Sequence, residues 1–203
     1  MNPELFTAFL LITFILVITP GPIVTLVIAT GATQGIRAAL TTVAGTVAGN
    51  AILIAAIAFG LTWVLKSSVL LFEVIRWAGA AYLIWLGIQV WRSAGKAEAA
   101  PVPGQVHFWR GFLVALSNPK TAAFFTAFLP QFIDKTLPPD FQLIVMCAVS
   151  VLMAAVTDTG WAIASGLGRA WFMKPARAKL LGRLSGSMLI GGGIWLSLTR
   201  RPA

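Results

Sequence analysis

Charge is scarce. Of 203 residues only 10% are Asp, Glu, Lys or Arg, where an ordinary soluble domain carries about a quarter. A water-facing surface cannot be built from so few charges. With 58% hydrophobic residues and a mean hydropathy of +0.88, the chain reads as an integral membrane protein. Cysteine is nearly absent as well. The one thiol, Cys147, lies inside an apolar run. It allows no internal disulfide and no metal cluster, and reads as a small hydrophobe in packing. The one histidine, His107, sits in a polar connector and cannot form a metal site or a serine–histidine dyad alone. Also missing are a Gly-rich loop ending in Lys-Ser or Lys-Thr and an H-E-x-x-H run. Nucleotide drive, metal, cofactor and enzyme readings therefore have no residues to stand on.

Acidic residues are the scarcer sign: 15 Lys and Arg face 6 Asp and Glu, a net charge of +9. A nucleic-acid partner is rejected, because the basic residues fall in short gaps between apolar runs. There they attract anionic headgroups and set orientation. The opening run "MNPELFTAFLLITFILVITPGP" lacks a basic n-region and a small-x-small site. It is read as a first span.

A bilayer core needs roughly 20 apolar residues per helix. Six stretches qualify, near 5–29, 38–62, 69–91, 111–133, 141–165 and 182–199. They are too long and too uniformly apolar for the alternating strands of a membrane barrel. The polar connector 92–110, rich in Ala, Pro and Gly, divides the six spans into three and three. Connectors after spans one, three and five hold nine Lys and Arg: Arg37; Arg92, Lys96 and Arg110; Arg169, Lys174, Arg177, Lys179 and Arg183. The other side holds four: Lys66, Lys135, Arg200 and Arg201. The positive-inside rule places the nine in the cytoplasm and both termini outside.

The two halves correspond weakly. "RWAGAAYLIWLGI" from Arg76 and "RLSGSMLIGGGIW" from Arg183 align Arg76 with Arg183, Gly79 with Gly186 and Leu83 with Ile190, each pair 107 positions apart. The first span of each half is interrupted, by "TPGP" at 19–22 and by "SNPK" at 117–120. With three spans per half, the second half inserts inverted relative to the first, a plan common among secondary transporters. The expected fold is all-α: six transmembrane helices in two inverted-topology three-helix repeats, about 1–92 and about 110–203. Helices 1 and 4 are broken, and the whole chain 1–203 is one domain.

The breaks carry the chemistry. Pro20 and Pro22 each remove an amide donor, and Gly21 between them adds backbone freedom. Freed backbone groups survive in hydrocarbon only inside protein or beside water. Asn118-Pro119-Lys120 makes the second break and adds a charge, which at mid-span costs about 2.5–3.5 kcal/mol on insertion scales. Each break opens the amide end of a half-helix, where the dipole is positive. Two such ends near the membrane centre can hold a carboxylate, and Lys120 would strengthen that field. Asp158 in span five is the other buried charge. Two readings stand: it holds an amino group or a coupling proton, or it neutralises Lys120. Asn50 in span two is a substrate contact or a bridge between helices. Phe124, Phe125 and Phe128 are pocket wall or packing. Gly45 and Gly49, and Gly191-Gly192-Gly193, read as close-packing sites without chemistry.

"ITPGPIVTLVIATGATQGIRAALTTVAGTVAGN" (18–50) and "NPKTAAFFTAFLPQF" (118–132) together resemble the two signatures of the lysine-exporter (LysE/RhtB) family of bacterial amino-acid exporters. The Pro-Gly-Pro and the glycines Gly31, Gly35, Gly45 and Gly49 carry the first. Asn-Pro-Lys, the Phe pair and Pro130-Gln131-Phe132 carry the second. Asp158 followed by Trp161, the length and the polar central connector also fit, so the likeness covers nearly the whole chain. It implies proton-driven export of small amino acids or their derivatives across the bacterial inner membrane. The implied partners are a small amino acid and membrane lipid, with a homo-oligomer open. The substrate-binding set expected is Pro20, Gly21, Pro22, Asn50, Asn118, Pro119, Lys120 and Phe125, with Asp158 for the amino group or the proton. The competing readings are a non-transporting scaffold or assembly factor, which would tolerate Lys120→Met, and a passive channel, which would show no trans-stimulation.

Overall fold

The computed structural model describes residues 2–67, 69–94, 107–134, 136–172 and 174–198. Much of the central connector, with Lys96, and also Lys135, Arg200 and Arg201, lie outside the described residues, so the expected charge asymmetry rests on sequence.

Among the described residues every regular element is helical: α1 (Pro3–Ile18), α2 (Pro22–Gln34), α3 (Ile36–Ser67), α4 (Val69–Ser93), α5 (His107–Leu116), α6 (Pro119–Phe128), α7 (Pro139–Leu167), α8 (Arg169–Phe172) and α9 (Pro175–Leu198), with a 3-10 turn at Leu129–Phe132 after α6. Starts follow local chemistry. Asn2 caps α1, accepting from the amides of Glu4 and Leu5, with Pro3 at the first helical position. Prolines likewise open α2, α6 and α7. Gly35, between α2 and α3, has φ of 90°, the left-handed region that glycine enters freely.

Four stretches are long and apolar enough to cross a membrane: Ile36–Gly60, Glu73–Ser93, His107–Phe132 and Pro139–Leu167. Pro3–Ile18 with Pro22–Gln34 makes a fifth, bent by 46° at its break. The interruption in the fourth expected span is milder, and His107–Phe132 still passes as one crossing. The sixth expected span differs. α9 has 24 residues, length enough, but serines, glycines and Arg183 dilute its apolarity and it is not among the qualifying helices.

Glycines show how the helices run past one another. Gly182 meets Ala94, Gly186 meets Gly87 and Trp91, and Gly193 meets Ala80 and Ile84. Rising numbers in α9 against falling numbers in α4 make this pair antiparallel. In contrast, Gly111 lies on Thr42, Gly45 on Phe108 and Phe112, and Gly49 on Phe112 and Ala115, so α3 and α5 run parallel. Gly31 rests on Ala162, Ser165 and Gly166, while Val24, earlier on α2, shares a cavity with Ala154 and Asp158, which sets α2 parallel to α7. Small residues at these crossings let backbones approach, as membrane helices require. The aligned pairs Arg76/Arg183 and Gly79/Gly186 have unlike surroundings. Arg76 is buried and paired with Glu73 at 2.7 Å, while Arg183 is exposed over the Trp91 ring. Gly79 packs on Ala127 rather than on a glycine.

The turn after the 3-10 segment is held by one side chain. Gln142, 1% exposed, donates from Nε2 to the carbonyls of Asp134, Leu137 and Pro138 at 2.9, 3.3 and 3.2 Å, and accepts from the Asp134 amide at 2.9 Å. Gln142→Leu keeps the size but strands these groups. At about 1–3 kcal/mol for each group left unsatisfied, the variant should lose roughly 2–4 kcal/mol of stability, read by thermal unfolding in detergent micelles.

Candidate functional site

The polar residues at mid-depth lie between two mainly apolar layers. Along α3 the buried order is Ala39, Thr42 and Val43, then Thr46 and Asn50, then Ile54. Along α7 it is Gln142, Leu143 and Met146, then Ser150, Ala154 and Asp158, then Ala162 and Ser165. Ile23, Val27, Ala39, Val43, Ala115 and Ala162 form one seal. The other is larger and aromatic, including Phe9, Phe125, Leu129, Phe132 and Met146, with the Phe9 and Phe132 rings edge to face at 5.6 Å.

Between the seals lies a cavity with about 40 Å³ of space for water centres, lined among others by Gly21, Ile23, Val24, Asn50, Asn118, Lys120, Phe125, Ser150 and Asp158. One water needs about 10–15 Å³ by this measure, so the cavity holds a few waters and is too tight for an amino acid. A wider crevice of about 440 Å³ lies on the far side of the first break, lined by Pro20, Gly21, Pro22, Thr25, Val90 and Phe172 among others. Gly21 borders both spaces.

Lys120 decides the geometry of the breaks. It is 6% exposed, and its Nζ donates to the carbonyls of Leu16 at 2.8 Å and Thr19 at 2.6 Å. Those carbonyls belong to the last turn and C-cap of α1, the negative end of that half-helix. The two breaks therefore touch, and the lysine is a buried group rather than one reaching for headgroup water. Its expected place at paired positive ends needs correction, because it neutralises the carbonyl end that the first break sets free. Two of its three N–H groups are used there, leaving one uncommitted.

The two amide ends also differ. The α6 end is closed by its own Asn118, whose Oδ1 accepts from the Lys120 amide at 3.1 Å while Nδ2 donates to Thr121 Oγ1 at 2.8 Å. The α2 end has no side-chain cap, since its N-cap is Gly21. The amides of Ile23 and Val24 precede the first residue with an intrahelical acceptor, Thr25, which bonds the Gly21 carbonyl at 2.8 Å. Both residues line the cavity. A Cβ on Gly21 would stand 3.0 Å from Lys120 Cδ and 3.3 Å from Nζ, so any side chain there would push the lysine by a few tenths of an ångström.

Asp158, 3% exposed, lies across the cavity. Its charge acts on Lys120, but the two make no direct ion pair. Thr46 Oγ1 lies 3.3 Å from Asp158 Oδ2 and 3.0 Å from the Val43 carbonyl. Asn50, 4% exposed, lines the same space, and its Oδ1 has no hydrogen-bond partner.

Of the expected set, Gly21, Asn50, Asn118, Lys120, Phe125 and Asp158 meet at one cavity. Pro20 and Pro22 face the crevice instead, and Pro119 opens α6 without lining either space. Phe125 is a cavity wall, while Phe124 and Phe128 stack at 4.6 Å beside a second, apolar space of about 70 Å³ beyond Lys120. Sequence reasoning passed over Thr46 and Ser150. Helical spacing could have found them: Thr46 is one turn from Asn50, and Ser150 two turns from Asp158. The Leu16 and Thr19 carbonyls left no trace in side-chain identity.

The model of the family described as LysE type translocator matches residues 14–200. A homoserine/homoserine lactone efflux protein of Salmonella typhimurium is 34% identical over 98% of this chain and 99% of its own length. An uncharacterized membrane protein of Vibrio cholerae is 32% identical, covering 98% of this chain and 100% of that protein. A leucine efflux protein of Klebsiella pneumoniae is 27% identical over 87% of this chain and 86% of its own. No solved structure matches the chain. The family match over residues 14–200 and these relatives make this protein a member of the LysE-type translocator family, a transporter and not an enzyme.

Proposed function

We propose that this protein is a secondary exporter of small amino acids or their derivatives across the bacterial cytoplasmic membrane, coupled to protons and working by alternating access. The observation that carries this is the tight cavity between two apolar clusters, with one buried cation and one buried anion lining it. That charge pattern complements a zwitterion. The uncapped α2 amides and the remaining N–H of Lys120 receive the carboxylate, and Asp158 receives the ammonium. The efflux relatives named above, for homoserine, its lactone and leucine, support substrates of this size with uncharged side chains. Apolar packing on either side of so tight a cavity favours a carrier over a passive channel, and buried charge in lipid has no use in a scaffold.

The chain is read as one domain of six crossings in two inverted repeats, about 1–92 and about 110–203, with both termini periplasmic. The antiparallel α4–α9 pair and the parallel α3–α5 and α2–α7 pairs match the alternation that six crossings demand. On this reading the crevice beside Pro20 and Pro22 opens toward the more basic, cytoplasmic face.

Thr46 supports the proton role. Its one hydroxyl proton has two acceptors, Val43 O and Asp158 Oδ2. With Asp158 ionised, the proton turns to the carboxylate. With Asp158 protonated, the acid donates to Thr46 Oγ1 and the threonine returns its proton to Val43. Both states are satisfied, so the carboxyl can load and unload without stranding a partner.

The test is efflux of labelled homoserine and leucine from proteoliposomes with and without a pH gradient. Saturable efflux, raised by the gradient and by substrate on the trans side, is expected. No movement of any amino acid in a labelled panel would overturn the reading. Asp158→Asn should leave folding intact and remove the response to the pH gradient, with net export down about 10- to 100-fold, as for loss of a charged hydrogen bond worth about 1.5–3 kcal/mol.

A further inference from the structure

We infer that Asn50 is a specificity-determining residue: with Asp158 it forms a two-acceptor bracket that admits only an unblocked primary ammonium group. The inference rests on the exporter reading above and names the part of the substrate that the site cannot do without.

Asn50 Oδ1 is a buried acceptor with no donor among the described residues, and burial without a partner is costly for an amide oxygen. It borders the cavity, so the missing donor has a place to come from. Its position along the helix is informative. Thr46, one turn earlier on α3, touches Asp158. Asn50 therefore lies about one helical pitch, roughly 5.4 Å, further along α3 than Thr46 and lines the same cavity as the carboxylate. The N–H bonds of an ammonium group diverge tetrahedrally and reach oxygens at about 2.8 Å, so a single nitrogen can serve two acceptors roughly 4.5 Å apart. Ala154, which also lines the cavity between Ser150 and Asp158 on α7, leaves the gap open. A hydroxyl has one proton and cannot bridge two acceptors, whereas a primary ammonium has three. The bracket also balances charge: one carboxylate meets one ammonium, and the second acceptor is neutral. An N-acyl group removes the charge and leaves one proton, so one acceptor would stay buried and empty.

The carboxylate side is less demanding. Lys120 already spends two of its N–H groups on Leu16 and Thr19. Substrates that keep the amine but mask the carboxylate, as an ester or lactone does, should thus compete better than those that keep the carboxylate and mask the amine.

Efflux of labelled homoserine from proteoliposomes, with homoserine lactone and N-acetylhomoserine as competitors, tests this. In the unaltered protein the lactone should compete within about tenfold of homoserine, and the N-acetyl compound at least 100-fold less well. Asn50→Leu should raise the half-saturation concentration at least tenfold and narrow the gap between the free amine and its N-acetyl form. Asn50→Asp, which keeps an acceptor, should hold that gap. Competition by N-acetylhomoserine equal to homoserine in the unaltered protein overturns the bracket without any variant. So does an Asn50→Leu protein of unchanged half-saturation and discrimination. Absence of homoserine and leucine efflux altogether would strike the exporter reading instead, so the two failures are distinguishable.

Discussion

Lys120→Met is expected to give a protein that inserts and folds but exports at about one-tenth to one-hundredth of the normal rate. Methionine retains most of the aliphatic stem that lies against Gly21. It removes the ammonium that binds the Leu16 and Thr19 carbonyls. Two opposing effects act on stability. Stranding two carbonyls costs about 1–3 kcal/mol each. Removing a desolvated charge returns several kcal/mol of the penalty for holding it in a low-dielectric interior. The sum is small, so folding should survive. Function has no such offset, because the uncommitted N–H proposed for the substrate disappears with the charge, and a charged hydrogen bond of about 1.5–3 kcal/mol corresponds to that 10- to 100-fold loss. The measurement is labelled amino-acid efflux alongside a size-exclusion profile in detergent. A monodisperse Lys120→Met protein with normal export would remove the lysine from the mechanism and favour a packing role for the second break.

Gly111→Val is expected to have the largest effect on folding. A Cβ at Gly111 would fall 2.3 Å from the Thr42 carbonyl oxygen and 3.1 Å from its carbonyl carbon. Both are backbone atoms of α3, so no side chain can swing away. The only relief is to part α3 from α5, and the same seam carries Gly45 against Phe108 and Gly49 against Phe112. Parting it opens the smaller seal, since Ala39, Val43 and Ala115 lie on these two helices. In lipid, little besides close packing holds helices together. A loss of about 3 kcal/mol or more follows for an overpacked site that cannot yield, seen as a lowered unfolding temperature in micelles and a reduced monodisperse yield. Gly191→Ala is the control, because nothing lies within 4 Å of a Cβ there. Equal yields from both variants would show that the α3–α5 seam is not tight.

Much of this architecture is legible in one dimension. Apolar length locates crossings, because a bilayer core imposes one helix length on every segment. The helical stretches accordingly fall close to the expected spans, from Ile36–Ser67 in the second to Pro139–Leu167 in the fifth. Proline and glycine are equally plain, since they act on their own backbone, and Pro20-Gly21-Pro22 breaks its span wherever that span is placed. Buried charge in lipid is costly enough to single out Lys120 and Asp158 as candidates before their neighbours are known.

What those charges face could not be read this way. Whether Lys120 meets an amide end or a carbonyl end depends on which terminus of a half-helix 101 residues away in the chain lies beside it. Backbone carbonyls are common to all residues and leave no compositional mark. The unequal caps of α2 and α6 follow the same rule, because Asn118 can close its own helix and Gly21 cannot. Likewise the unlike settings of Arg76 and Arg183 arise from packing partners on other helices. The chain's composition and its backbone breakers set the solvent, the number of apolar segments and the residues able to do chemistry, since those are properties of each residue alone. The pairing of helix ends, the layering of a polar cavity between two seals, and the empty acceptor on Asn50 arise only when helices distant in sequence are brought side by side.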